Sequence, residues 1–430
     1  MKLFQQMLVA TASIGLISPF AAQASDVLNL EGMNDYNRSK KSSSTRFDNK
    51  TFNNQVNEGL ATLKDSVDGL EAQQPFFDSG SFSDTTTLDG KAVFSVGSVD
   101  TEGAKDGVAE GYTGKLITAY TYQMNLNTSF TGDDNLYVRL KAGNHDGWSD
   151  KKTPYNTYLS AAKGSPAEAV VVDKMWYTMP VGEKSTIWVG PKIENYYMHG
   201  TTPSIYKPVL KAFTLGGNAA AYGASTSPGA GWTYSADNGF ALSSNFTSKD
   251  GHTKGMLTDE SAVSWATQVG FTKPQYSVSA IVNMKYDDWE DSYFQTADGK
   301  QRTFGDRNST NIGLRGWWRP ENTGTATPSV SLGFDTSETD APGNSNTTAY
   351  FVGLTWQDII NADDRIGVAF GQPQKHEDDT VDPFLYEVYY DYKVNDSVTV
   401  TPAIFGGTSK NGDGAEVDMT GYVVNTTFKF

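Results

Sequence analysis

Four histidines, His145, His199, His252 and His376, have the widest chemical range in this sequence, and their spacing limits what they can do. Each is expected in a separate loop, none stands at metal-ligand spacing from another His, and the sequence has no Cys, so no metal centre is expected. His145 and Asp146 form an adjacent acid–base pair, but neighbouring side chains of an extended segment point apart. A hydrolase needs a nucleophile held by a histidine, and this pattern supplies none. No G-x-S-x-G elbow, P-loop or G-x-G-x-x-G falls in a strand-to-helix context. The expectation is a protein without catalysis, metal or cofactor. What remains is the chemistry of charge facing water. Arg139, Lys141, Lys285, Arg315, Arg319 and Arg365, with Glu387, Asp391, Lys393 and Lys429, lie on the polar side of segments whose alternate positions are apolar.

Those segments must position the charges, and they read as strands. Leu136, Val138, Leu140 and Ala142 alternate with Tyr137, Arg139 and Lys141; Tyr276, Val278, Ala280, Val282, Met284 and Tyr286 alternate with Ser277, Ser279, Asn283 and Lys285. Ile312, Leu314 and Trp318 lie opposite Arg315 and Arg319, and Ile366, Val368 and Phe370 opposite Arg365. Phe384, Tyr386, Val388, Tyr390 and Tyr392 lie opposite Glu387, Asp391 and Lys393. Period-two alternation fits a transmembrane barrel with lipid outside, and equally a soluble sandwich with the faces exchanged. The connections separate the two. Short joints at 180–184, 237–239, 272–274 and 393–396 alternate with long polar stretches at 143–168, 193–230, 249–261, 287–308 and 407–418. Tight turns at one rim and long loops at the other belong to a transmembrane barrel. The expected fold is therefore all-β, a transmembrane antiparallel β-barrel of about 16 strands over 86–430, wide enough for an aqueous channel. In this register the charges face the lumen, since each would cost about 2–4 kcal/mol at mid-depth on the lipid face.

The longest loop, 193–230, carries Tyr196, Tyr197, His199, Tyr206, Lys207 and Lys211. A loop this long inside a compact fold usually has a function. Either it folds inward as a constriction or it lies over the mouth. The wall reads as basic, whereas the loop clusters Asp287, Asp288, Glu290, Asp291 and Glu377, Asp378, Asp379, Asp382 are acidic. The two tendencies oppose each other, and the balance of ions is left open.

Composition agrees with a barrel. The 430 residues carry a net charge of -16 and 22 Phe, 22 Tyr and 9 Trp, and mean hydropathy is -0.46. That is too polar for a helical membrane protein, but in a barrel only alternate residues meet lipid. The acidic balance argues against a nucleic-acid partner. Lys2, the apolar run 7–17 and Ala22-Gln23-Ala24 read as a signal peptide over 1–24. A flexible polar lead follows over 25–55. Val56, Leu60, Leu63, Val67 and Leu70 then form the a/d stripe of a short coiled-coil helix over 56–75. Such a helix either packs with two other copies or lies against another surface, with cell-wall contact among its roles. At the other end Tyr422, Val424, Thr426, Phe428 and Phe430 alternate with Val423, Asn425, Thr427 and Lys429. An aromatic-ended, apolar-out strand suits barrel closure, with Phe428 and Phe430 as the handle for the insertion machinery and Asn425, Thr427 and Lys429 facing pore water.

The segments 125–132 (NLNTSFTG), 350–356 (YFVGLTW), 367–373 (GVAFGQP), 401–405 (TPAIF) and 426–430 (TTFKF) resemble the carbohydrate-selective porin (OprB-type) family, in particular its cyanobacterial outer-membrane porins. The resemblance covers 86–430 and the signal peptide. It implies a homotrimeric sixteen-stranded porin in outer-membrane lipid, passing small solutes by passive diffusion: inorganic ions including iron, and sugars. Relatives carry a surface-layer-homology domain before the coiled coil, for which 25–55 is too short. The competing readings are a structural linker from outer membrane to cell wall with incidental transport, and a secreted carbohydrate-binding sandwich.

Overall fold

A computed structural model of the protein describes residues 81–83, 85–102, 113–151, 156–217, 220–222, 226–287, 289, 308–340, 346–377, 379–410 and 416–430. The expected signal peptide, polar lead and coiled-coil helix lie outside the described residues.

The strands are β1 (Ser81–Ser83), β2 (Thr86–Glu102), β3 (Ile117–Thr128), β4 (Asn135–Gly143), β5 (Val171–Val181), β6 (Ser185–Ile193), β7 (Ser227–Ser235), β8 (Phe240–Ser248) and β9 (Val263–Lys273). They continue with β10 (Tyr276–Tyr286), β11 (Ser309–Trp318), β12 (Ser329–Thr339), β13 (Thr347–Gln357), β14 (Arg365–His376), β15 (Phe384–Lys393), β16 (Val398–Lys410) and β17 (Glu416–Lys429). From β2 onward each strand pairs antiparallel with the next, and β17 pairs back onto β2 from Asp418↔Glu102 to Lys429↔Lys91. The result is a closed 16-strand barrel, which satisfies every edge that an open sheet would leave unpaired. The short β1 pairs with the start of β2, Ser81 opposite Thr87.

Alternation explains the two faces. Phe94, Val278, Leu314, Leu332, Tyr350, Ile404 and Tyr422 are exposed on the outside, while their strand neighbours are buried within. The turns have their own chemistry. In the turn 129–134 the Asp134 carboxylate accepts the backbone N–H groups of Phe130 and Thr131 and the hydroxyls of Ser129, Thr131 and Tyr177. The Tyr177 hydroxyl does most to hold this carboxyl well below the usual range. Asp364 closes the turn 358–364 in the same way, accepting from Ile359, Ile360 and Asn361 N–H and from the Tyr390 hydroxyl.

Loop lengths follow the expectation through β11 and then depart from it. The connections 182–184, 236–239 and 274–275 are short, and 144–170, 194–226, 249–262 and 287–308 are long. Beyond β11, the turn 319–328 at the short-turn rim is longer than the loops 340–346 and 377–383 at the opposite rim. The long loop expected at 407–418 shrinks to 411–415. Gly406, Gly407, Thr408 and Ser409 look loop-like in sequence, but pairing with β17 carries the strand through Lys410, and β15 pairs as far as Thr408.

The barrel is not hollow throughout. Val99, Phe351, Leu385, Tyr389, Phe405, Val417, Met419 and Val423 form an apolar inner wall on β13–β17 and β2, packed against Trp148, Leu159, Tyr206, Val209, Leu210 and Phe213 from the loops 144–170 and 194–226.

Candidate functional site in the barrel lumen

Loop 194–226 enters the barrel from the end of β6 and follows the inner wall. Asn195, in the 3-10 turn Asn195–Met198, donates to Asn245 Oδ1 at 2.8 Å and accepts from Thr247 at 2.9 Å. His199 meets Ser243 Oγ at 2.9 Å, and Thr201 N–H donates to Gln268 Oε1 at 3.1 Å. Thr202 O accepts Trp317 Nε1–H at 3.0 Å, and Ile205 N–H donates to Ser331 Oγ at 3.2 Å. The loop then reaches β15. There the Glu387 carboxylate accepts the Tyr206 hydroxyl at 2.9 Å and the N–H groups of Val209 and Leu210 at 3.1 and 2.7 Å. A bridge between Leu159 and Leu210 ties this point to the loop 144–170.

On its return the loop arches over the wall. Leu215, Gly216 and Gly217 have φ of 56°, 71° and 103°, a left-handed run that suits glycine and strains Leu215. The arch aims Leu215 O at Arg315 Nε, 2.8 Å away, and a Cβ on Gly216 would meet Arg315 Cδ at 2.6 Å. Beneath it Arg315 pairs with Asp335 at 2.8 Å, and Lys285 is buried within Coulombic reach of Asp335. Ala221 O accepts Asn283 Nδ2–H, and the Tyr222 hydroxyl accepts Gln268 Nε2–H.

The opposite wall is different. Arg139 pairs with Asp173, its Nε donating at 2.6 Å, and the side chains of this pair are 15% and 22% exposed, whereas those of Arg315 and Asp335 are 1% and 2% exposed. Loop 194–226 therefore leaves the inner face of β2–β5 partly accessible, as it does the Arg365–Asp391 pair of β14 and β15, whose side chains are 16% and 23% exposed. On β5 Lys174 closes a buried ion pair with Glu194 at 2.6 Å, bridged by the Thr226 hydroxyl. Tyr137, Trp176, Tyr197 and Tyr196 pack in series as tilted rings with centroids 4.3, 4.7 and 4.4 Å apart. Lys141 Nζ donates to Ala162 O at 3.3 Å. Burial holds the Lys211 ammonium below the ordinary lysine range, with Glu194 opposing the shift.

The other residues singled out by sequence spread along the molecule. Arg365 pairs with Asp391 at 3.6 Å, and Lys393 with Asp363 and Asp396 at 3.4 Å, toward the short-turn rim. Arg319 stands just past β11, exposed, donating to Pro274 O. Lys207 is exposed on loop 194–226, and Lys429 is exposed at the end of β17. The expected water-facing side of the last strand is partly enclosed, because Asn425 accepts the Ser95 hydroxyl, which in turn meets His145 from the loop 144–170. His145 and Asp146 do point apart: Asp146 accepts Gly147 N–H, whereas the His145 ring is buried against Ser95 and Thr121. Phe428 packs on Phe94 at 5.3 Å and Phe430 stacks on Tyr122 at 5.6 Å.

Sequence reasoning missed Lys91, Asp89, Gln123, Asp173, Lys174, Glu194 and Asp335. For Asp173 and Lys174 the reason is a bulge between Arg139 and Leu140 in the β4–β5 pairing, which breaks the period-two signal in β5. Asp335 was legible, since Ser331, Gly333, Asp335 and Ser337 alternate with apolar residues.

Comparison with known proteins agrees with this geometry. Residues 48–405 match the model of the family described as "Carbohydrate-selective porin, OprB family". An uncharacterized protein of Nostoc sp. (strain PCC 7120) is 24% identical over 417 residues, covering 86% of this chain and 70% of that protein. An uncharacterized protein of Synechocystis sp. (strain PCC 6803) is 30% identical over 131 residues, 30% of this chain and 23% of that protein. Among solved structures, the trimer form of OmpT, an outer membrane protein of Vibrio cholerae, is similar in fold with a TM-score of 0.50 at 12% identity, covering 81% of this chain and 100% of that one. The chain belongs to the carbohydrate-selective porin, OprB family, and its 16-strand barrel is an outer-membrane porin channel.

Proposed function

We propose that the protein passes small solutes by passive diffusion, with loop 194–226 as the constriction and the partly exposed side chains of β2–β5 as the water path. The observation that carries this reading is the contrast between two lumenal ion pairs, Arg315–Asp335 sealed under the loop and Arg139–Asp173 left accessible. In this reading Arg139, Lys141 and Lys429 line the path, Arg365, Asp391, Lys393 and Arg319 lie toward its periplasmic end, and Lys285, Arg315 and Glu387 support the loop. The solutes are inorganic ions, iron included, and sugars, which is the range the family resemblance implies. The assembly is a homotrimer in outer-membrane lipid, exported by the segment 1–24 and inserted through the strand that ends in Phe428 and Phe430. The trimer form of OmpT supports this stoichiometry by analogy of fold. Purified protein in planar bilayers is the test: stepwise openings in groups of three are expected, and a silent, detergent-independent monomer overturns the reading. Liposome swelling with sugars of rising size then separates sugar passage from ion passage.

A second reading, a membrane-to-wall linker, has one observation in its favour. The start of β2, with β1 paired to it, lies at the rim of the short turns, where Gly90 and Phe430 exchange backbone hydrogen bonds. A wall contact by the chain ahead of β1 would be made from this rim, the periplasmic one in this orientation.

A further inference from the structure

Barrel closure places three lysines abreast. In the ladder register Lys429 of β17 lies directly opposite Lys91 of β2, Lys91 opposite Gln123 of β3, and Gln123 opposite Lys141 of β4. Residues opposite one another in antiparallel strands share a face, so Lys429, Lys91, Gln123 and Lys141 form one row on the inner wall with no carboxylate among them. Like charges directly opposite destabilise a sheet, and nothing on this row offsets them. Lys91 is within Coulombic reach of Arg139 and Lys429, and Lys141 of Arg139, Lys211 and Lys91; the one opposite charge acting on Lys141 is Asp173, which Arg139 already holds.

Of the nearby carboxylates, Asp173 and Glu194 are held by cations and the exposed Asp89 by neutral amides. Asp89, on the next row, accepts Asn125 Nδ2–H at 2.5 Å and Asn127 Nδ2–H at 3.3 Å. Asp173 is held by Arg139, and Glu194 by Lys174 and the Thr226 hydroxyl. Among the described residues the one hydrogen bond of the Lys141 ammonium is to a neutral carbonyl, Ala162 O. Among the described residues neither Lys91 nor Lys429 has an ion-pair partner. Along the row Lys429 is exposed and Lys91, Gln123 and Lys141 are half-buried.

We propose that this lysine row is the ion filter of the channel and that it selects small inorganic anions over cations. The proposal rests on the porin reading above. It also runs against the overall charge of -16, and the physical reason is distance. Exposed charge is screened within about 8 Å at physiological ionic strength, so acidic loops at the rim act weakly on an ion deep in the barrel. Ammonium groups lining a confined lumen act on it at close range, where low-dielectric walls focus the field. Gln123 adds an amide to the row without adding charge.

The test is the reversal potential of single channels in a potassium chloride gradient, for the wild type, Lys91→Gln/Lys141→Gln, and Lys115→Gln/Lys254→Gln as a control of like charge change at exposed positions outside the strands. The wild type should favour chloride several-fold, the double variant should bring the ratio to unity or below, and the control should leave it unchanged. Raising the salt to about 1 M, where the Debye length is about 3 Å, should bring the wild-type ratio toward unity. Only inserted, open channels are counted, so poor folding of a variant lowers the number of events and not the ratio. Lys91→Arg/Lys141→Arg should keep the anion preference. A wild type that opens but favours potassium, or a double variant with an unchanged ratio, overturns the filter while leaving the porin reading intact. A wild type that never opens overturns the porin reading itself.

Discussion

Glu387 on β15 accepts the backbone N–H of Leu210 at 2.7 Å, a contact between residues 177 apart in sequence. The other oxygen of the same carboxylate takes Tyr206 OH and Val209 N–H, so a single wall residue fixes the far end of loop 194–226. Each donor left unsatisfied on removing it costs roughly 1–3 kcal/mol. Glu387→Ala should release the loop, giving larger and noisier single-channel currents and a higher sugar-size limit in swelling assays. Glu387→Gln should fall between this and Tyr206→Phe, which removes one bond.

The Arg315–Asp335 pair under the loop arch gives a stability prediction. Removing one partner of a buried pair costs about 3–5 kcal/mol, because the remaining charge is stranded, whereas an apolar replacement of both is often tolerated. Arg315→Met should lower the thermal midpoint in detergent more than Arg315→Met/Asp335→Leu does. Recovery in the double variant should be partial, since Leu215 O and Phe334 O also lose the guanidinium. Equal midpoints for the two variants would show that the pair is not the stabilising element.

Two loop histidines predict a pH response. Burial lowers His145 to about 4 and His199 to about 3. A histidine held neutral in the folded state gives its full stabilisation above its unfolded value near 6.5 and loses it as pH falls toward the folded value, at about 1.4 kcal/mol per unit. Loops 144–170 and 194–226 should therefore loosen between about pH 6.5 and pH 4 while the strand ladder persists. Hydrogen exchange should show faster amides in these loops in that window, and His145→Gln should flatten the response of the loop 144–170. An acid response confined to strand amides would contradict this.

Closure offers a packing test. The Phe430 ring stacks on Tyr122 and sits where a Cβ on Gly90 would fall, 2.7 Å away. Phe430→Asp and Gly90→Leu should both reduce the amount of heat-resistant assembled barrel on gels. The channels that do assemble should keep wild-type conductance, because this contact faces outward.

Deleting 25–75 addresses the linker reading. Conductance should be unchanged, and cells carrying the shortened chain should show a looser envelope. An envelope unaltered by the deletion would sink the wall contact.

Period-two alternation made the strands readable because lipid and lumen demand opposite chemistry at successive positions, and the count of about 16 came from that rule. What alternation could not reveal is the filling of the barrel. Phe351, Leu385, Val417 and Met419 point inward yet are apolar, since the loops 144–170 and 194–226 fold back on them as a core. Glu387 read as a charge for pore water, but it is fully buried beneath Leu210. Both depend on contacts between segments far apart in sequence. Lys91 escaped notice because its significance lies in cross-strand register, which only the closed ladder fixes.

The meeting of Lys429 with Lys91 also bears on how the protein is made. Joining β17 to β2 brings two ammonium groups face to face. Dissolved counter-ions therefore share in sealing the seam. The yield of this closing step should therefore rise with the ionic strength of the surrounding fluid.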